Sequence, residues 1–289
     1  MALADEARAH LAQAEKALKP SWVSLKFSPD HLTASMEYSQ AATKFRGASM
    51  LEESVQAWVK AAGAKELLHD QFGAGRAYES AGAICDGGGP GGPDAAVEHW
   101  HKAIRCFRLC GKAEIAGKLI LKLAALRDKA GDVAGAKQAF EEALEVYHDD
   151  EKDYNIADVY KQYIGFLVRC QCYEDAVKAI DGHMEVLKRQ KHFPFVHKEA
   201  LAKIVLLLQL QDTVRADEAL SSAADVEGWF MSKESQAGGE LVEAFQANDA
   251  GEAERVLKEQ VFTFLQVEVA RLARALRVPT LAAPPAAAP

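Results

Sequence analysis

Four soft metal-ligand side chains fall within one short stretch: His99, His101, Cys106 and Cys110. Thiolate sulfur and imidazole nitrogen are the donors that tetrahedral zinc takes. On a helix, however, residues two apart such as His99 and His101 point to different faces, and Cys106 adjoins the apolar Phe107. They therefore read as structural or surface residues. Cys170-x-Cys172 has one spacer residue where redox and zinc motifs have two. Gly87-x-Gly89-x-x-Gly92 spells a dinucleotide fingerprint, but it follows a helical stretch rather than a strand and contains Pro90. It reads as a flexible loop over 86–93 between helices. Paired acids such as Glu52-Glu53, Glu141-Glu142 and Asp149-Asp150 suit solvated helix faces and helix starts. No phosphate-binding Gly-x4-Gly-Lys-Ser/Thr, Gly-x-Ser-x-Gly or His-Glu-x-x-His occurs. The expectation is no enzyme, no cofactor and no metal; a helical enzyme using the cluster from His99 to Cys110 is the alternative of that class.

Composition narrows the classes further. The 289 residues are 49% hydrophobic and 26% charged, with 34 Lys+Arg against 42 Asp+Glu and a net charge of −8. This is a globular chain, and its acidity disfavours nucleic acid as the main partner, because phosphate binding needs clustered cations. The greasiest run, Ile204 to Leu210, is short and holds Gln209, so no membrane span is expected. Acids at Asp5 and Glu6 are unlike a secretory leader, and five cysteines are an odd number. The expected location is cytoplasmic.

The elements that position these residues are helices. Between Asp94 and Val278 the only proline is Pro194, which protects helix interiors. Breaks are expected at Gly47, Gly87–Pro93, Gly111, Gly131-Asp132, Asp149-Asp150, Cys170–Cys172, Pro194, Gln211-Asp212 and Gly228. Within the helices a pattern repeats. Ala136-x3-Phe140-x2-Ala143-x3-Tyr147 puts small and bulky residues on one face, and recurs as Ala34, Tyr38, Ala41, Phe45; Ala74, Tyr78, Ala81, Cys85; and Ala96, Trp100, Ala103, Phe107. Ser54, Trp58 and Ala61 belong with these strong copies. Weaker ones are Ala176, Ile180, His183, Leu187 and Ala216, Leu220, Ala223. The starts 96, 136, 176 and 216 are 40 apart, as are 34 and 74. Partner helices half a period away carry Ala116, Ile120, Leu123 and Ala157, Lys161, Ile164.

Such a period predicts an all-α, tetratricopeptide-like, right-handed superhelical solenoid of antiparallel helix pairs, with about 14 helices over residues 1–277. Long faces without a deep pocket favour binding over catalysis. Two segments depart from the repeat. Trp22, Val23, Leu25 and Phe27 alternate in a loop over 19–29 flanked by Lys19 and Lys26, which suits contact with an anionic membrane surface, or a cap on the end of the stack. Residues 278–289 are Ala/Pro-rich and uncharged, the composition of a disordered tail.

Leu11-Ala-Gln-Ala-Glu15-Lys-Ala-Leu, the Trp/Phe loop, and Pro29-Asp30-x3-Ala34-x3-Tyr38-x2-Ala41-x3-Phe45 together resemble the start of the soluble N-ethylmaleimide-sensitive factor attachment proteins (SNAPs), gamma branch. The resemblance is strongest over 8–46 and follows the helix-pair rhythm to about residue 276, through Leu241-Val-Glu243-Ala. It implies an adaptor that binds SNARE complexes on membranes, several copies per bundle, and recruits the hexameric AAA ATPase that unwinds them. It further implies membrane contact by Trp22, Val23, Leu25 and Phe27, SNARE binding by Lys118, Lys122 and Lys161, ATPase binding by Glu243, and peripheral association with membranes. The alpha-type acids after Glu243 are replaced here by Gln246 and Ala247. A generic tetratricopeptide-like scaffold in another complex is the alternative; its repeat is 34 residues, against 40 here.

Overall fold

The computed structural model describes residues 2–19, 28–149 and 153–279, and Trp22, Val23, Leu25 and Phe27, expected to contact a membrane, lie outside them. The chain forms two compact units, residues 1–150 and 151–289. Among the described residues there are fourteen α-helices and no strand. The first unit holds α1 (Ala2–Leu18), α2 (His31–Gly47), α3 (Leu51–Leu67), α4 (Gln71–Asp86), α5 (Gly92–Leu109), α6 (Ala113–Lys129) and α7 (Val133–Asp149), each packed on the next. The second holds α8 (Asp153–Arg169), α9 (Tyr173–Arg189), α10 (Phe193–Gln209), α11 (Thr213–Ser222), α12 (Lys233–Gln246), α13 (Ala250–Leu257) and α14 (Val267–Ala275). There α10 touches α9, α11, α12 and α14, and α14 also reaches α8. Short 3-10 turns at Ala223–Asp225, Trp229–Met231 and Gln260–Phe264 interrupt the rhythm of the second unit. The helix-pair solenoid expected from the repeat is the architecture found.

Most of these helices are 17 residues long, and a single turn design joins them. Eight of the helices are followed by a residue with left-handed backbone: Ser49, His69, Gly111, Gly131, Gln171, Lys191, Gln211 and Asn248, with φ between 55 and 76°. The next residue's N–H then reaches back to a carbonyl of the last turn, as from Met50 to Phe45, Cys172 to Leu167 and His192 to Leu187, each 2.9 Å. This closure satisfies carbonyls that a helix end leaves orphaned. That same residue caps the following helix, and Asp70, Asp132 and Asp212 accept the N–H of Gly73, Gly135 and Arg215 on their side chains. Seventeen helical residues plus a three-residue turn make twenty, and twice that is the sequence period. Two of these turns, at His69 and Asn248, fall outside the expected breaks. Pro194 is not a break: it occupies the first turn of α10, where its missing N–H is not needed.

The core follows the small-and-bulky stripe. Ala34, Tyr38, Ala41 and Phe45, then Ala96, Trp100, Ala103 and Phe107, then Ala136, Phe140, Ala143 and Tyr147 are all buried. Close approach goes further than alanine at the α4–α5 pair. A Cβ on Gly82 would lie 2.4 Å from Trp100 Cδ1, and one on Gly75 would lie 2.8 Å from Phe107 Cε1. Two glycines seven residues apart on one helix thus receive two aromatic rings seven apart on its antiparallel neighbour. On α8 the expected stripe is displaced by one. Ala157 is only half-buried and Lys161 is exposed, while Ile156, Tyr160, Tyr163 and Leu167 are buried. That corrected stripe starts 40 after Ala116, so the period holds. In the second unit His183 stands where the strong copies carry their second alanine, as a buried ring stacked on Tyr160 at 5.7 Å, and Leu276 and Val278 beyond α14 are also buried.

Candidate functional site: charged helix faces

The soft-ligand stretch does not converge. His101 is exposed and Cys106 is buried, and among the described residues no three His, Cys, Asp or Glu side chains are grouped to hold a metal ion. Cys106 lies 3.8 Å from Glu66 Oε1, and burial followed by that carboxylate pushes its thiol up to about 11. A thiol held protonated in this way is a poor nucleophile at neutral pH. Burial also holds His99 below its ordinary range, with the nearby Lys102 ammonium adding to the effect. The loop from Gly87 to Gly91 joins α4 to α5, and Gly91 is left-handed at the start of α5.

The expected basic residues are on the surface. Lys118 and Lys122 stand one turn apart on α6, and each meets a carboxylate. Lys118 Nζ is 2.6 Å from Glu114 Oε1 on its own helix, and Lys122 Nζ is 3.4 Å from Glu79 Oε1 on α4. Glu79 also holds Arg76 at 2.9 Å. Arg76 and Lys122 thus share Glu79 between α4 and α6, while Lys118 pairs with Glu114 along α6. Exposed pairs of this kind are individually weak and exchange readily for an incoming anion. Lys161 belongs to the second unit, where it sits 3.4 Å from Asp158 Oδ1 on α8.

Lys198 is a cation that residue-type reasoning passes over. It lies 80 positions after Lys118, two full periods, and so occupies the same register. Its ammonium is 5.5 Å from the ring centroid of Phe195 and 5.8 Å from that of Phe264, and it makes no ion pair among the described residues. Lys161 Nζ also approaches Phe195, at 6.0 Å from its ring centroid. The period was the signal that could have found Lys198; nothing local in the sequence points to Phe264.

Acids gather toward the end of the chain. Glu243 is exposed on α12. One turn before it, Glu240 receives Arg255 Nη2 at 2.6 Å, and Arg255 also meets Glu252 at 2.6 Å and Glu259 at 3.4 Å. Hydrogen bonds from Gln236 and then Arg255 hold Glu240 below the ordinary carboxylate range, and Arg255 does the same for Glu252. Three carboxylates around one guanidinium leave a surplus of negative charge beside Glu243. Sequence resemblance points to Glu243 alone; Glu240, Glu252 and Glu259 come together around Arg255 only once the segments that carry them pack.

No helix among the described residues is long and apolar enough to cross a membrane. Paired helices with exposed faces of opposite charge define a helical-repeat protein whose chemistry is laid out on its surface. The family model for the soluble NSF attachment proteins (SNAP) matches residues 5–268, and the chain belongs to that family. Among curated relatives, the gamma-soluble NSF attachment protein of Dictyostelium discoideum is 22% identical over 253 residues, covering 88% of this chain and 77% of its own. That of Arabidopsis thaliana is 24% identical over 252 residues, covering 87% and 85%. The resemblance noted at the N-terminus thus extends along nearly the whole chain.

Proposed function

We propose that this protein is an adaptor in SNARE- and NSF-dependent vesicle traffic: it binds assembled SNARE bundles and recruits the AAA ATPase that takes them apart. The family match over residues 5–268 carries this reading. In it, Lys118, Lys122 and Lys161 face the acidic bundle, and Glu243 with its acidic neighbours faces the ATPase. Trp22, Val23, Leu25 and Phe27 touch the membrane surface, which makes the association peripheral. Each contact is weak and screened, so several copies around one bundle would gain affinity by multivalency. The chain acts by templating rather than catalysis, and the free energy of disassembly comes from the recruited ATPase.

The test is a pull-down of the ATPase on an immobilised SNARE bundle, with and without this protein and with and without ATP. Retention of the ATPase only when this protein is present, and release on ATP hydrolysis, is the expected result. ATPase capture that is indifferent to this protein would refute the reading. Reversing charge at Lys118 and Lys122 should weaken bundle binding, most steeply at low salt. Replacing Trp22 and Phe27 by Ser should lower liposome-dependent activity with little change in melting temperature; a large drop in melting temperature would mean that they cap the stack instead.

A further inference from the structure

The second unit contains an open cleft of about 200 Å³ whose walls are unusual for a solvent-facing surface. Phe195 from α10 and Phe264 from the 3-10 turn at Gln260–Phe264 expose 50% and 57% of their surface, and both line it. Lys161 and Lys198 line it too, Lys161 Nζ 6.0 Å from the Phe195 centroid and Lys198 Nζ 5.5 and 5.8 Å from those of Phe195 and Phe264, while the carboxylate of the lining residue Glu199 lies 3.2 Å from the buried His183 Nδ1. Gln266 fixes one wall: its Nε2 donates to the backbone carbonyl of Lys161 at 2.6 Å, tying the segment that carries Phe264 to α8. The recess is therefore built by three separate stretches of chain rather than by one stray side chain.

An ammonium held over an aromatic face retains its charge and loses part of its water. Two such ammonium groups beside two half-exposed rings offer an apolar seat with cationic rims. Its volume suits one large aliphatic or aromatic side chain. We infer that this cleft seats an apolar side chain projecting from an acidic amphipathic helix, whose flanking carboxylates meet Lys161 and Lys198. Lys198 is the better anchor, because it has no carboxylate of its own to displace among the described residues, whereas Lys161 must leave Asp158. The recessed rings favour a side chain entering the protein over a protein side chain entering a membrane. The identity of that helix as part of a SNARE bundle rests on the function proposed above; the chemistry of the cleft does not.

The experiment uses the full chain with isotope-labelled phenylalanine rings and two probes. The first is a synthetic amphipathic helix with a glutamate face and a leucine face; the second is an assembled SNARE bundle. Binding of the synthetic helix should shift the ring signals of Phe195 and Phe264. Phe264→Ser and Lys198→Glu should each weaken it by about tenfold, the range expected for losing a buried apolar or charged anchor. A peptide with serine in place of leucine should not bind. Both side chains are on the surface, so a thermal melt of each variant should match the parent. Unchanged peptide affinity in Phe264→Ser would overturn the inference. So would loss, in that variant, of capture by anionic phosphatidylserine vesicles while peptide binding stays intact, because the rings would then serve a lipid surface. If the parent binds the peptide but not the bundle, the cleft stands and the adaptor reading falls. If parent and Phe264→Ser bind the bundle equally, the adaptor reading stands and the cleft inference falls.

Discussion

Substituting alanine for Gly82 tests whether the small-against-bulky register sets how closely the helices pack. Two effects oppose each other. Alanine is favoured over glycine in a helix interior by about 0.8–1.0 kcal/mol. The new Cβ, however, would lie 2.4 Å from Trp100 Cδ1 and 2.5 Å from Nε1, where carbon contacts prefer about 3.5–4.0 Å. The indole must retreat by roughly 1 Å, yet it is only 3% exposed and is hemmed in by its neighbours. Overpacking of this kind costs about 1–3 kcal/mol, so Gly82→Ala should be neutral to about 2 kcal/mol destabilising. Gly63 on α3 is the control, because a Cβ there meets nothing within 4 Å. Gly63→Ala should gain most of the propensity term, about 0.5–1 kcal/mol. Subtracting one variant from the other removes propensity and leaves the clash with Trp100, about 1–3 kcal/mol. Urea titration of both, followed by far-UV circular dichroism and tryptophan fluorescence, would show the Gly63→Ala midpoint rising and the Gly82→Ala midpoint unchanged or lower, at equal slope. If Gly82→Ala proves as stable as Gly63→Ala, the glycine–indole contact does not set the helix spacing.

Other outcomes follow from the turns and the buried titrating groups. Gln171 and Lys191 hold left-handed backbone with φ of 60° and 57°, which costs a side-chain-bearing residue about 1 kcal/mol. Gln171→Gly and Lys191→Gly should each raise the melting midpoint, and a lowered midpoint would show that their side chains matter more than their backbone. His99 is held below its ordinary value by burial, so the unfolded chain takes up its proton first as pH falls. Stability should decline as pH drops through about 6.5 and continue to decline until the folded histidine also titrates. His99→Gln should flatten that part of the profile, and an unchanged slope would refute the assignment. Cys106 is buried with its thiol pushed up to about 11. Iodoacetamide at pH 8 should therefore label the half-exposed Cys110 and Cys172 well before it, as peptide mass mapping would read.

Much of the fold could be read before any coordinates because its repeat is written in volume as well as polarity. Alanine and aromatic residues alternate at fixed spacing, and steric fit makes that pattern specific to helix pairs. The helix ends were less legible. His69 and Asn248 turn the chain as sharply as Gly111 does, but through backbone geometry that costs little enough for ordinary residues to bear it. Lys161 shows a second limit. A half-filled stripe on α8 can be drawn through Ala157 or through Ile156, and a strict 40-residue step from Ala116, which the packing bears out, picks the second. For the candidate surface, the sequence supplied lysines and an acid but not their surroundings. The Glu79–Lys122 pair spans 43 positions, and the ring of acids at Arg255 joins two helices. The cleft around Lys198 needs α8, α10 and a distant 3-10 turn together.

Those surroundings bear on how a surface with only shallow, open clefts can be selective. A lysine paired with a local carboxylate keeps most of its charge but must exchange partners to bind, so its net gain is small. Lys118, Lys122 and Lys161 are all of this kind, and three such contacts alone would make a weak, salt-sensitive grip. Selectivity then has to come from contacts that are not screened. In the second unit Lys198 is held over rings rather than over a carboxylate, so burying a partner's apolar side chain against those rings also removes water from around its charge. Cations that exchange pairs would set how fast the protein and its partner meet, and the aromatic cleft would set how long they stay together. Binding kinetics separate the two: Lys118→Glu should act mainly on the association rate and lose its effect in high salt, whereas Phe264→Ser should act mainly on the dissociation rate at any salt. Equal salt dependence for both variants would mean that the rings add nothing beyond charge.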